Sequence, residues 1–311
     1  MTYLHFKSMK FLQKIIDKLY IKQWSIGIAQ MEVHDLIRNQ TKNLKFKWLP
    51  IENKNKFYAD PFIFKSGINE YSILFEEYDY RTQYGKISMG TLNRKFEVID
   101  TKTVIDTKSH LSYPAIFIQN GEMYVFPESS KSGKLSVYQY DFKTNNLVYK
   151  KDIINLPLID STILKYNNKY WIFSTMLDNS IKQKLYIHYS DSLMGPYFPH
   201  FQNPVKNNIN GSRPAGNLIE VDGILYRPAQ NSDKYYGSSI TIYKIIYLDE
   251  NKFIEENYMT ITSDESDRFN IGVHTFNHID DLIVVDGLTR IFLPFTQLST
   301  FLRKKIIGIS K

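Results

Sequence analysis

Five short apolar segments of this 311-residue chain each open on a residue able to do chemistry. Asp60 leads Asp60-Pro-Phe-Ile-Phe64, and Tyr113 leads Tyr113-Pro-Ala-Ile-Phe117. Asp160 leads Asp160-Ser-Thr-Ile-Leu164, Arg213 leads Arg213-Pro-Ala-Gly-Asn217, and His274 leads His274-Thr-Phe-Asn277. Two further acids, Glu77 and Glu128, close the apolar run that follows the first and second of these segments, and Arg227 lies in the run that follows the fourth. Carboxylates placed together can move protons in general acid–base catalysis. An arginine cannot donate a proton near neutrality, but it grips phosphate or carboxylate with two parallel hydrogen bonds. The types therefore suit proton transfer and the holding of an anionic or hydroxyl-rich ligand.

These residues are far apart in sequence, so a repeated scaffold must bring them together. Each leads a unit that reads as a β-hairpin: a short apolar strand, an Asn/Asp/Gly turn such as Asn120-Gly121 or Asp222-Gly223, and a second apolar strand. The leads stand 53, 47, 53 and 61 residues apart, close to the length of a four-stranded propeller blade. The expected fold is all-β, a five-bladed β-propeller with a short N-terminal helical segment. A sandwich leaves the polar lead of every unit unexplained; in a propeller the innermost strands line a central channel and their first residues converge there. The expected organisation is a basic N-terminal segment over 1–56 (amphipathic helix plus lead-in strand) and a propeller over 57–311, with blades starting near 57, 110, 157, 210 and 270.

Composition narrows the function. Hydrophobic residues are 43% and charged residues 23%, as in a globular domain, and the length supports a core without staples. Cysteine is absent, which removes disulfides and thiolate zinc sites. The 23 Tyr and 20 Phe favour strands and provide faces that stack on sugar rings. Net charge is +7, but residues 1–56 hold 11 Lys/Arg against 4 Asp/Glu, and residues 288–311 hold 5 Lys/Arg and no acid. The body between is acidic, which argues against a nucleic-acid groove. Lys10, Lys14, Lys18 and Lys22 recur every four residues opposite Phe11, Leu12, Ile15, Ile16 and Leu19, the pattern of a basic amphipathic helix suited to an anionic membrane surface. No run of about 20 apolar residues predicts a membrane span, and no apolar leader with a cleavage site is seen. Walker, Rossmann, zincin and nucleophile-elbow motifs are absent. No cofactor and no local metal motif is expected, although clustered central carboxylates could hold a cation.

The motifs Gln23-Trp-Ser-Ile-Gly-Ile28, Tyr58-Ala-Asp-Pro-Phe62, Phe75-Glu-Glu77, Ser112-Tyr-Pro-Ala115, Pro127-Glu-Ser-Ser130, Ser212-Arg-Pro-Ala-Gly216, Gly272-Val-His-Thr275 and Val285-Asp-Gly287 resemble the N-terminal domain of glucosamine inositolphosphorylceramide transferases and their stand-alone bacterial relatives. More distantly the chain resembles the five-bladed glycosidases of glycoside hydrolase family 43. That resemblance implies that Asp60 is a base and Asp160 a modulator, while Ser212-Arg213-Pro214 stands where the family carries its acid. An inverting glycosidase needs two carboxyl groups; an arginine in place of the acid suits a phosphate-bearing leaving group that needs charge stabilisation instead. The expectation is thus a glycosyltransferase-like enzyme, moving a sugar from a sugar-phosphate or nucleotide-sugar donor to a glycan or glycolipid acceptor in surface-polysaccharide or lipid-linked glycan assembly. Asp60, Asp160 and Glu128 are its expected catalytic residues, with Glu77, Tyr113, Arg213, Arg227 and His274 binding substrate. Glu77 or Glu128 could replace the missing acid. The alternatives are a glycoside hydrolase of the propeller clan and a non-catalytic carbohydrate-binding propeller. A cytoplasmic location, peripheral at the inner membrane through the basic ends, follows from the same reasoning.

Overall fold

The computed structural model describes residues 19–41, 44–68, 70–176 and 183–296. The β-branched and aromatic runs form strands, and the polar dipeptides between them form tight turns. Asn120-Gly121, Asn167-Asn168 and Asp222-Gly223 all adopt positive φ at both positions, the type I′ geometry that matches strand twist.

The chain begins with β1 (Tyr20–Gln30), a short helix α1 (Val33–Asn39) and β2 (Lys47–Trp48). Blade one follows, from inner to outer strand: β3 (Lys56–Gly67), β4 (Glu70–Asp79), β5 (Tyr84–Leu92) and β6 (Val98–Ile105). Blade two is β7 (Ser112–Gln119), β8 (Glu122–Glu128), β9 (Leu135–Asp141) and β10 (Asn146–Ile154). Blade three is β11 (Leu158–Tyr166), β12 (Lys169–Met176), β13 (Lys184–Ser190) and β14 (Phe198–Pro199), with β15 (Lys206–Asn207) also on β13. Blade four is β16 (Asn210–Pro214), β18 (Ile224–Asn231), β19 (Ser239–Leu248) and β20 (Phe253–Ile261), with β17 (Ile219–Val221) also on β18. Blade five has β21 (Gly272–Ile279) inside and β22 (Leu282–Phe292) next to it. This is the expected all-β five-bladed propeller.

The outer half of blade five comes from the start of the chain. β1 pairs with β22 without a break from Tyr20↔Phe292 to Gln30↔Leu282, and β2 pairs with β1. The lead-in strand expected within 1–56 is therefore a blade strand that closes the ring by pairing the start of the chain with β22. The amphipathic helix expected over Lys10, Lys14 and Lys18 lies outside the described residues, but Lys22, expected on that helix, sits in β1 opposite Arg290. α1 buries Val33, Leu36 and Ile37 in a cluster with Ile240, Phe276 and Val285 of blades four and five.

Each inner strand carries a register shift at the same height. The shifts fall between Ala59 and Phe62, Ser112 and Ala115, Ile159 and Thr162, Asn210 and Pro214, and Val273 and Phe276. A bulge re-aims the side chain at its extra residue, and all five lead residues sit inside these bulges. Asp60, Tyr113 and Asp160 adopt φ of 52°, 43° and 49°, a left-handed conformation that costs about 1–2 kcal/mol per non-glycine residue.

Polar contacts between inner strands bind the ring. Tyr113 Oη lies 2.7 Å from Thr162 Oγ1 and accepts from Gly216 N–H at 2.6 Å. Thr162 Oγ1 donates to Gly216 O, Asn217 N–H to Asn277 Oδ1, and Asn277 Nδ2 to Pro61 O. Gly216, at φ +130°, is where this network allows no side chain: a Cβ there would lie 1.8 Å from Phe276 O. We expect Gly216→Ala to cost about 3 kcal/mol or more in chemical denaturation through forced displacement of backbone. Gly121→Ala, also at positive φ but with nothing within 4 Å, should cost only about 1 kcal/mol.

Candidate functional site

The bulges gather Asp60, Asp160, Arg213 and His274 at the ring centre, as the repeat predicted. Their partners define what each can do.

Asp60 is buried. Its Oδ1 accepts from Thr275 Oγ1 at 2.7 Å and its Oδ2 from Tyr113 N–H at 3.2 Å, while His274 Nε2 lies 3.6 Å from Oδ1. Burial raises its pKa to about 6; Asp160 and Asp286 add to the rise, and His274 and Thr275 oppose it. Asp286, beside Gly287 on β22, is fully buried and holds the arrangement from behind. It accepts Asp60 N–H at 3.0 Å, His274 N–H at 3.0 Å and Thr275 N–H at 2.9 Å, and its Oδ2 lies 2.6 Å from His274 Nδ1. Burial disfavours a charged His274, but the attraction of Asp286 outweighs it and the pKa rises. Asp60, His274 and Asp286 bring potential cation ligands within 4.8 Å of one another, and the carboxylate oxygens also accept the hydrogen bonds just named.

Asp160 is clamped by Arg213. Arg213 Nε and Nη2 donate to its two carboxylate oxygens, and Gln230 Nε2 adds a bond of 2.9 Å. Burial raises the Asp160 pKa to about 6 against the pull of Arg213, and a hydrogen bond that the protonated Asp160 carboxyl donates to neighbouring Glu128 adds to the rise. Glu128 is buried beside it and accepts from Ser130 Oγ at 2.8 Å and Ser112 Oγ at 3.3 Å. Arg213 stacks over Tyr236, 5.2 Å from the ring centre. The two hydrogen bonds expected to grip a phosphate are thus spent on Asp160.

Three expected binding residues are placed otherwise. Tyr113 is fully buried with its hydroxyl committed to the inter-blade network; it is scaffold. Arg227 turns to the outer strands of its own blade, where Nε and Nη2 grip Glu255 at 2.8 and 2.7 Å beside Lys206. Glu77 is held by Lys56 at 2.6 Å, Lys86 at 3.4 Å and Ser88 at 3.0 Å. Burial pushes its pKa up, but these partners bring it below the usual value, so Glu77 is a carboxylate and no replacement acid.

The acid at the centre is its neighbour, Glu76. Ala59 pairs with Glu76 as Ser112 pairs with Glu128 and Ile159 with Thr175. Glu76, not Glu77, is therefore the counterpart of Glu128. The hairpin of blade one has a further register shift between Lys65 and Gly67, and that extra residue moves Glu76, not Glu77, into the position of Glu128. Sequence reasoning also missed Trp24 and Tyr236. Trp24, on β1, stacks on His274 at 4.1 Å and 26°. Tyr236, in the loop between β18 and β19, stands edge-on to both, at 6.4 Å and 5.3 Å, with 37% of its surface exposed. Such faces are suited to sugar rings.

The chain is a closed five-bladed propeller with acidic and polar side chains gathered at its centre. Similar solved structures include a family 117 glycoside hydrolase of the marine bacterium Zobellia galactanivorans, with a TM-score of 0.56 at 13% identity over 87% of this chain and 91% of that one. A thermostable family-43 glycoside hydrolase gives 0.52 at 14% identity over 71% and 83%. At these identities the likeness shows the fold. The family described as glucosamine inositolphosphorylceramide transferase 1, N-terminal, matches residues 50–283, and the chain belongs to it. Glucosamine inositolphosphorylceramide transferase 1 of Oryza sativa subsp. indica is 31% identical over 207 residues, 65% of this chain and 28% of that protein. Its Arabidopsis thaliana counterpart is 32% identical over 207 residues, 65% and 27% respectively. The chain thus spans little more than a quarter of the relatives it matches.

If Arg213 serves Asp160, then Arg213→Leu leaves a buried carboxylate unpaired. We expect a loss of about 3 kcal/mol in chemical denaturation, with most of it recovered in the double variant Arg213→Leu/Asp160→Asn. Wild-type stability in the single variant would show instead that Arg213 is free for a ligand.

Proposed function

We propose that the ring centre is the active site of a glycosyltransferase-like enzyme, in which Asp60 takes the proton of an acceptor hydroxyl as the sugar is transferred. The observation that carries this reading is the setting of Asp60. A buried carboxyl, fixed by two donors and poised near pH 6, has the pKa a general base needs close to neutrality. Asp160, neutralised by Arg213 and joined to Glu128, would orient sugar hydroxyls. Tyr236 and Trp24 would offer the sugar a stacking wall. The transferase name of the relatives supports transfer, and the inositolphosphorylceramide in that name supports a glycolipid acceptor. The basic ends of the chain are the features that would bring the site to an anionic membrane.

The test is a pH–rate profile for sugar release or transfer from a panel of nucleotide sugars, sugar phosphates and aryl glycosides. Because Asp60 must be ionised to act, activity should rise with pH through a midpoint near 6. Asp60→Asn should lower it by about 10²–10⁴-fold with melting temperature retained. Full activity in Asp60→Asn would remove the base from the reading.

A further inference from the structure

We propose that Glu76 is the proton donor of this site, delivering its proton to a leaving oxygen, so that the donor is a glycoside rather than a sugar phosphate. This rests on the glycosyl-transfer reading above and names the donor class for it.

Among the described residues, the Glu76 carboxyl is paired with no lysine or arginine. Glu76 is 6% exposed, and its Oε1 is buried with no hydrogen-bond partner. Gly85 makes the space for it: a Cβ there would lie 2.3 Å from Oε1. The one base against it is His110, whose Nδ1 is 3.7 Å from Oε1. That nitrogen already accepts Gly85 N–H at 3.0 Å, so it carries no proton and offers Glu76 no positive charge. Burial lowers the His110 pKa to about 4, which keeps the ring neutral. The largest charges acting on Glu76 are acidic: Asp60 on β3, Glu128 on β8, Asp160 on β11 and Asp286 on β22, with Tyr78 and Tyr80 beside it; the basic Lys131 and Arg213 act on its neighbour His110. Burial first, then these charges, push the Glu76 pKa well above the usual range. Glu77 next to it shows the opposite arrangement, with two lysines and an ionised carboxylate.

Two carboxyls in one site, Asp60 held by donors and Glu76 buried with an unpartnered Oε1, supply the base and the acid that such a reaction needs. In the step implied, the bond from the anomeric carbon to the leaving oxygen breaks as the Glu76 proton passes to that oxygen, giving a neutral alcohol. The acceptor oxygen bonds the anomeric carbon and its proton passes to Asp60. Exchange with solvent then returns Asp60 to the base form and Glu76 to the acid form. An alkoxide needs that proton; a phosphate, already stable as an anion, does not. The centre also carries five carboxyl groups and spends its arginine on one of them, which disfavours a multiply charged leaving group.

The test compares Glu76→Gln with wild type on 4-nitrophenyl glycosides, whose leaving group is stable as an anion, and on alkyl glycosides, whose leaving group is not. We expect kcat on alkyl glycosides to fall about 10²–10⁴-fold and kcat on nitrophenyl glycosides to stay within about tenfold, with the alkaline limb of the alkyl-glycoside profile lost. Glu76→Asp should restore part of the alkyl-glycoside rate, and the infrared band of a protonated carboxylic acid at pH 7 should disappear in Glu76→Gln. Equal loss on both donors at unchanged melting temperature, or no loss on either, overturns the assignment and leaves the transfer reading standing. So does a wild type that uses sugar phosphates alone. A wild type inactive on every donor overturns the transfer reading and the assignment with it.

Discussion

Asp286 is the constraint on which the centre depends. It has no exposed surface, and it receives three backbone N–H groups and the Nδ1 side of His274. A buried carboxylate without such donors would cost several kcal/mol; with them it becomes a fixed point. It accepts the Asp60 N–H within its left-handed turn and two N–H groups in the bulge of β21, and it favours the charged form of His274. Trp24 of β1, the strand that closes the ring, stacks on the same histidine. Closure and site geometry are therefore one arrangement, since the strand that completes blade five also walls the site.

The charge pattern follows from who has a partner. Asp160 has Arg213, Glu77 has Lys56 and Lys86, and Asp286 has backbone donors and His274. Asp60 has two neutral donors and a histidine at 3.6 Å, and Glu76 has nothing on Oε1. Burial raises the pKa of Asp60, Asp160 and Glu76 alike, whereas the lysines beside Glu77 bring it below the usual value. Desolvation against local partners is what sets neighbouring carboxyls apart.

Much of this was legible in the sequence because a propeller writes its centre as a repeat. The polar leads at regular spacing placed Asp60, Asp160, Arg213 and His274 together, and the I′ dipeptides marked the hairpins. Parity was not legible. Glu76 and Glu77 differ by one position, and a one-residue change in a hairpin decides which of them faces the centre. Arg227 has an ordinary strand position, and only the cross-strand position of Glu255 reveals that it faces away. Tyr113 leads its unit like the others, but its hydroxyl meets Thr162 and Gly216, contacts that only the assembled ring supplies. Trp24 was visible as a family motif, yet its role needs the pairing of β1 with β22, more than 250 residues later in the chain.

The most direct test of the account is the titration of His274 by ¹⁵N NMR, followed in wild type and in Asp286→Asn among the seven histidines of the chain. The account predicts a wild-type midpoint above the ordinary value of 6.5, and a lower one once the Asp286 charge is removed. A midpoint at or below 6.5, or one that Asp286→Asn leaves in place, would contradict it.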